Sequence, residues 1–513
     1  MILKKMNRMI RIMISLTVLT GIAVTYHSCK QPNGKETTYQ QMSQDDSNIS
    51  TEIKRELSVV PNVSAENVNV ETLQGIVTLT GTAKNILAKE KAKEVAMRIK
   101  GVKSVINDIK VKTPFIPNNI LEEHVTDAII KDPAIESAEM EVEADSGKIT
   151  ITGTVDSWQE TQIAGNTVKS VSGVTEVENN LNFHYEQRNY QDQEMEDEIK
   201  AMMYDDVLVD GADINVDVQD GIAVLSGTVA SAAEKEEAIK NSWVNGINDV
   251  KAEDLKVTDW NRSVKYREGK YVQKPDEELE EAIKRQFLYD YRVNPFDLKV
   301  NVKNGKAYIS GNVTNLRAKR LAKQDAQNVV GVVSVKNNIQ VQPKEDFSTK
   351  TIKDNVKNAL EFDPYLENYD LKVEAKNDKV MIYGNVDKYF EKAHAEKAAE
   401  KVAGVSEVEN NIKIGKKDSD NVLVDYWKPY PLSFTRFPDE ENLKEEVEKQ
   451  LWWSPYVDED EINIEIKGDK VILTGQVETY KEKQEATRSA FEAGAPEVEN
   501  KVKVGYALNE GSS

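Results

Sequence analysis

Apolar and polar residues alternate along six short stretches of the 513-residue chain: "VTLTGTA" from 77, "ITITGTV" from 149, "AVLSGTV" from 223, "AYISGNV" from 307, "VMIYGNV" from 380 and "VILTGQV" from 471. Period two over this length predicts half-buried β-strands. In "ITITGTV" the residues Ile149, Ile151, Gly153 and Val155 share one parity, so the glycine falls on the apolar face. A missing side chain there lets a helix backbone come close to the sheet, or lets the strand bend. A phosphate cradle would need clustered glycines opening a helix, as in GxGxxG or GxxxxGK, and the chain offers neither. The glycines are therefore read as packing devices.

The strand glycines Gly81, Gly153, Gly227, Gly311, Gly384 and Gly475 are spaced by 72, 74, 84, 73 and 91 residues. A second glycine follows each after 19 or 20 residues, at Gly101, Gly173, Gly246, Gly331, Gly404 and Gly494. Four residues beyond each of these stands Val105, Val177, Val250, Val335, Val408 or Val498. A register kept six times predicts six copies of one module.

Ahead of the strands, apolar residues at i, i+4 and i+8 mark a helix, as in Ile352, Val356, Leu360 and in Leu443, Val447, Leu451. Proline stops it soon after in "KDPA" at 131, "FDPY" at 362 and "WSPY" at 453. A first strand ("LKVNVKNG" at 298, "INIEIKGD" at 462) and a polar turn then lead into the glycine strand. "DVQDG" at 217 meets only part of a calcium-loop pattern and reads as such a turn. A helix rich in Ala, Lys and Glu ends at the second glycine, which suits the left-handed position after a helix; the sixth copy departs there with Ala495 and Pro496. A short last strand follows, as in "VENNLNF" at 177 and "VENNIKI" at 408. The predicted fold class is α+β: a tandem array of six αββαβ modules, each a three-stranded mixed sheet with two helices packed on one face. The modules span 51–112, 121–182, 194–257, 276–342, 348–414 and 439–504.

The strand glycine, the "GV" helix end and the terminal "VxN" strand together resemble the BON domain, named for bacterial OsmY and nodulation proteins. The resemblance covers nearly everything from 51 to 506. It implies an exported protein of the periplasm or outer membrane that binds phospholipid surfaces and supports envelope integrity, with no catalytic residues to carry over. Proteins of the cell envelope are the alternative partners, bound by a scaffold that does not touch lipid.

The N-terminus fits export. Lys4, Lys5, Arg8 and Arg11 precede an apolar stretch at 12–24, which has the layout of a secretory signal and is short for a membrane span. Cys29, the only cysteine, follows in "TYHSC", which resembles a lipobox with Tyr26 where leucine is usual, and makes Cys29 the candidate lipidation site. Residues 30–50 are polar and read as a flexible tether.

Composition narrows the chemistry. With no further cysteine and no GxSxG, thiol and serine-elbow enzymes are excluded. His124, His184 and His394 stand apart, outside any HExxH pattern, and read as solvated. No cofactor, metal site or catalytic residue is expected. A net charge of −21 argues against nucleic acid as a partner. Acidic pairs such as Asp205 and Asp206 are expected by composition among 88 carboxylates.

Charge differs between copies. Copies one and four come to +4 and +3, whereas copies two, three, five and six come to −10, −11, −2 and −9. Candidate contacts to anionic lipid are accordingly Lys89, Lys91, Lys93, Arg98, Lys100 and Lys103 of copy one and Arg317, Lys319, Arg320 and Lys323 of copy four, all on or just after the second helix. With Glu90 and Glu94 among them, the same residues also read as a salt-bridged, exposed helix face. Aromatic residues gather at first-helix ends: Phe287, Tyr289 and Tyr291; Phe362 and Tyr365; Trp452, Trp453 and Tyr456. The last three are candidate interface residues, and adjacent tryptophans on a helix point about 100° apart, which predicts one of them at the surface.

Overall fold

In the computed structural model the described residues lie between 45 and 505, except 60–62, 64–66, 133, 136–139, 185–189, 259–273, 291, 294–296, 344–345, 362, 367–368, 387–388, 415–439, 469 and 496. Cys29, the leader, most of the tether, Tyr291 and Phe362 lie outside them.

Helix–strand–strand–helix–strand recurs six times. The helices are α1 Asp46–Val59 and α2 Ile86–Met97 in copy one, α3 Asn118–Lys131 and α4 Trp158–Lys169 in copy two, and α5 Asp192–Asp205 and α6 Ala232–Asn241 in copy three. Copy four has α7 Asp276–Tyr289 and α8 Leu316–Gln327, copy five α9 Thr349–Glu361 and α10 Tyr389–Glu400, and copy six α11 Glu440–Trp453 and α12 Tyr480–Glu492. The first helix of copy one thus begins inside the stretch read as tether. In every sheet the central strand pairs antiparallel with the first strand and parallel with the third. The third strand of copy six is split, into Glu497–Asn500 and Lys503–Val504.

Alternation sets which face is covered. In copy four Ala307, Ile309 and Val313 of the central strand are buried against Leu279, Ile283 and Phe287 of α7 and Leu321 of α8. Each such side chain contributes about 1.5–3 kcal/mol when fully buried. Both helices lie on that one face, and the other carries the alternate residues toward solvent.

The strand glycines serve the bend, not a helix approach. Gly81, Gly227, Gly311 and Gly475 have φ of +115, +109, +125 and +129°, a region that side chains avoid. A Cβ on Gly81 or Gly311 would stand 1.8 or 1.9 Å from the carbonyl oxygen of Asn67 or Asp297, the residue just ahead of the first strand. The neighbour that excludes a side chain is therefore the incoming first strand.

The second glycines are left-handed, as expected, with φ between +88 and +103°. In copies one to four the helix proper ends sooner, at Met97, Lys169, Asn241 and Gln327, and a further turn reaches the glycine. Only in copy six does the glycine follow the helix cap directly: Gly494 N–H donates to Phe491 O (3.0 Å) and Ala495 N–H to Ala490 O (3.1 Å). That is the Schellman pattern, so the copy that departs in sequence has the simplest helix end.

Two polar devices recur among the modules. The asparagine of "VxN" bridges sheet and second helix: Asn107 Nδ2 donates to Lys89 O (2.8 Å), and Asn179, Asn337, Asn410 and Asn500 do the same to Thr161, Lys319, Lys392 and Lys483. Copy three has Ala252 at that position and an irregular register between its central and third strands. The carboxylate opening the first helix captures the hairpin turn. Asp276 accepts from Asn304 N–H (2.8 Å) and Gly305 N–H (2.9 Å), and Asp46 and Asp192 repeat this with their own turns. "DVQDG" is such a turn, with Asp220 and Gly221 both at positive φ.

Candidate functional surfaces

The six copies form one compact unit, Ser43–Ser513. They meet through their helices. Copies three and four join by main chain: Val330 N–H donates to Asp205 O (2.8 Å), Val207 N–H donates to Asn328 O (3.0 Å), and Asp206 and Val329 form an antiparallel bridge. Copies six and one repeat the contact, with Lys100 N–H donating to Trp453 O (3.3 Å). The positions correspond, since Val330 and Lys100 each precede the second glycine while Asp205 and Trp453 each end a first helix.

Side chains fill these two seams differently. Between copies three and four, Asp205 accepts from Lys274 Nζ (2.8 Å) and Arg285 Nη1 (2.6 Å), with Asp205 and Lys274 both buried. Asp206, also buried, accepts from Asn241 Nδ2 (2.7 Å). Burial, reinforced by Glu237, pushes the Asp206 carboxyl up. The acidic pair that composition made unremarkable is a docking element.

Between copies six and one, Trp452 and Trp453 are both buried, at 4% and 2% exposure. This corrects the expectation that one would face outward. Copy one covers them, with Lys100 over the Trp452 ring at 5.1 Å. Tyr456 is half-buried, with Lys481 5.1 Å above its ring, and burial pushes its hydroxyl well up. Beside the tryptophans, Glu52 of α1 meets Lys449 and Gln450 of α11 at 3.4 and 3.3 Å. Arg488 of α12 pairs with Glu485 and Glu492 of its own helix and lies close enough to feel Glu56 of α1. Burial raises the Glu492 carboxyl to about 7, with Arg488 opposing and Glu56 and Glu485 adding to the rise.

The second helices face inward as well, which decides the fate of the basic residues expected to meet lipid. Lys100 is buried and reaches Glu459 of copy six at 3.9 Å. Lys93 pairs with Glu236 of copy three, Arg317 with Asp132 of copy two (3.3 Å) and Arg320 with Glu400 of copy five (2.5 Å). Lys91 and Arg98 pair with Glu94 at 3.0 and 2.5 Å. Burial alone would raise Glu94, but Arg98 and Lys91 pull it down to about 2. Lys89 and Lys319 are half-buried, and of the ten only Lys103 and Lys323 are exposed. Four of the ten cations, Lys93, Lys100, Arg317 and Arg320, thus meet carboxylates of other copies. His394 is likewise not a solvated residue, since its Nε2 lies 2.8 Å from Asp363 Oδ2 and its ring stacks on Phe390. Trp158 and Trp243, not singled out in sequence, stack at 4.7 Å between copies two and three.

The second face of each sheet is turned outward, and one cell of it varies. It comprises the first residue of the central strand and its neighbours on the third strand. In copies two, five and six the cell holds a locked ion pair: Lys148 to Glu178 (2.6 Å), Lys379 to Glu407, and Lys470 to Glu497 (2.7 Å). In copy one it holds Ile76 and Ile106, exposed by 44% and 47%, beside Leu73, exposed by 73%, across the hairpin. Exposed Lys103 borders them at the hairpin, exposed Glu71 and Asp108 stand beside them, and Lys110 lies further along the third strand with Lys112 just past its end. In copy four the cell holds Lys306, Ser334 and Lys336. Among the described residues, no group of metal-binding side chains occurs and no helix is long and apolar enough to cross a membrane.

Comparison with known proteins matches the BON domain six times, over residues 45–113, 117–184, 191–259, 275–343, 348–416 and 439–506. The chain is 26% identical over 195 residues to the osmotically-inducible protein Y of Escherichia coli (strain K12), covering 35% of this chain and 96% of that protein. Two solved structures of CdsD, a structural protein of the type III secretion system of Chlamydia trachomatis, align at 18% and 17% identity. They cover 44% of this chain and 100% and 94% of theirs, each with a TM-score of 0.12.

Proposed function

Because the chain belongs to the BON domain family, we propose that it is a non-catalytic, exported envelope protein that associates with phospholipid surfaces and supports the envelope under osmotic stress. The similarity to an osmotically inducible protein supports the stress role, and the basic-then-apolar leader supports export. The observation that carries the lipid reading is the outward sheet face of copy one, where Leu73, Ile76 and Ile106 are exposed together with Lys103 at their edge. An apolar cell with Lys103 at its edge suits an anionic bilayer surface: the aliphatic groups dip in and a lysine near the surface contributes about 1 kcal/mol, against which Glu71 and Asp108 on the same face count. This copy also follows directly on the leader and tether, and a lipid on Cys29 would hold the face near the membrane, raising its effective concentration there. Flotation of residues 45–513 with vesicles containing phosphatidylglycerol tests it. Binding lost in the triple variant Leu73→Ser, Ile76→Ser, Ile106→Ser is the expected result, and binding indifferent to that variant counts against the reading.

A further inference from the structure

The outward sheet face of copy four has a different chemistry, and it is not explained by lipid association through copy one. Lys299 and Lys303 of the first strand, Lys306 and Tyr308 of the central strand and Lys336 of the third all project to this side and are all exposed. Tyr308 sits at the centre, directly across from Asn301 on one side and Lys336 on the other, and is 38% exposed. Where copies two, five and six set a carboxylate against the leading lysine of the central strand, copy four has Ser334 and Lys336. Among the described residues, none of the four lysines has a carboxylate within ion-pair distance. The nearby acids are engaged elsewhere. Asp276 holds the hairpin amides, Glu280 accepts from Val302 N–H (2.8 Å) and Asn301 Nδ2 (3.0 Å), and Asp297 stands beyond the far end of the sheet.

We infer that this face binds an acidic polysaccharide, a sugar chain bearing carboxylates along its length. Four unneutralised ammonium groups spread over a flat surface, with strands about 4.8 Å apart, select an extended polyanion rather than a small ion. The rest of the face distinguishes which polyanion. Asn312, Ser310, Asn338 and Gln340 offer neutral donors and acceptors suited to hydroxyls, and an exposed tyrosine ring offers a flat apolar platform for a sugar. A bilayer would gain little here, since the outward positions hold no aliphatic side chain and a single ring. Nucleic acid is poorly served as well: the face has no arginine fork for phosphate and belongs to a molecule of net charge −21.

The test uses the full chain and polygalacturonate as the probe, followed by affinity electrophoresis and calorimetry at low salt, with neutral dextran, phosphatidylglycerol vesicles and duplex DNA alongside. Salt-sensitive binding to polygalacturonate is expected, with none to dextran. It should weaken about tenfold in Lys306→Glu, Lys336→Glu and several-fold in Tyr308→Ala, each variant keeping the wild-type urea midpoint. Lys336→Gln, which removes charge without reversing it, should fall between. Polygalacturonate binding unchanged in the double variant overturns the inference, as does binding through these lysines only to vesicles or only to DNA. The lipid reading fails separately, because it rests on copy one and on the variants of Leu73, Ile76 and Ile106.

Discussion

The inner helix surfaces and the outer sheet faces carry the same kinds of side chain to opposite ends. On the inner side Lys93, Lys100, Arg317 and Arg320 each meet a carboxylate of another copy. On the outer side of copy four Lys299, Lys303, Lys306 and Lys336 meet none among the described residues. The two sets cannot be told apart by counting charges, since both lie in the two copies with a positive balance. What separates them is which surface the modules use to meet one another. A lysine is available to a ligand only where docking has not claimed it.

Breaking the inner surfaces should cost far more than changing the outer ones. Trp453→Ala removes a buried ring from the seam of copies one and six, and a loss of about 4 kcal/mol is expected, read as a lowered urea midpoint. Asp205→Ala takes from buried Lys274 its nearest carboxylate, leaving only Glu278 at 3.6 Å among its ion pairs in the described residues; up to about 3 kcal/mol should be lost, and Lys274→Met in the same chain should restore part of it. Gly311→Ala meets both a forbidden φ and the Asp297 carbonyl. It should cost about 2 kcal/mol and loosen the hairpin of copy four in hydrogen exchange, leaving copy two unchanged. Proton linkage sharpens the same contrast. Glu492 has its carboxyl raised to about 7, so the stability its protonated form contributes is complete below the ordinary carboxylate range and lost as pH rises through about 7. The seam of copies one and six should therefore loosen as pH rises from 4.5 to about 7, seen as faster exchange at α1 and α12, and Glu492→Gln should remove that dependence. Lys93→Ala, at a partly exposed pair, should change stability by about 0.5 kcal/mol or less.

Much of the module was legible because its signals are local. Strand parity, the two glycines and the terminal "VxN" all act within about 70 residues, and each has the place its pattern implied, although the strand glycine answers to the first strand's carbonyl and not to a helix. The seams were not legible, because they join distant residues. Glu52 meets Gln450 across 398 positions, and nothing near Asp205 announces that Lys274 and Arg285 will come to it. The adjacent tryptophans misled for the same reason: two directions about 100° apart can both be buried when another copy packs over the helix end. The copy-four face was written in the sequence as Lys306, Tyr308 and Lys336 in matching register, but it stood out only after the equivalent cells in copies two, five and six were seen to be neutralised.

Amine labelling of the folded full chain, followed residue by residue by mass spectrometry, tests the division between claimed and available lysines most directly. Lys299, Lys303, Lys306 and Lys336 should react at the rate of free lysine, while Lys100 and Lys274 should be protected until the chain is unfolded in urea. Labelling of Lys100 and Lys274 as fast as the four lysines of copy four would contradict the account, because the modules would then not be docked through their helices.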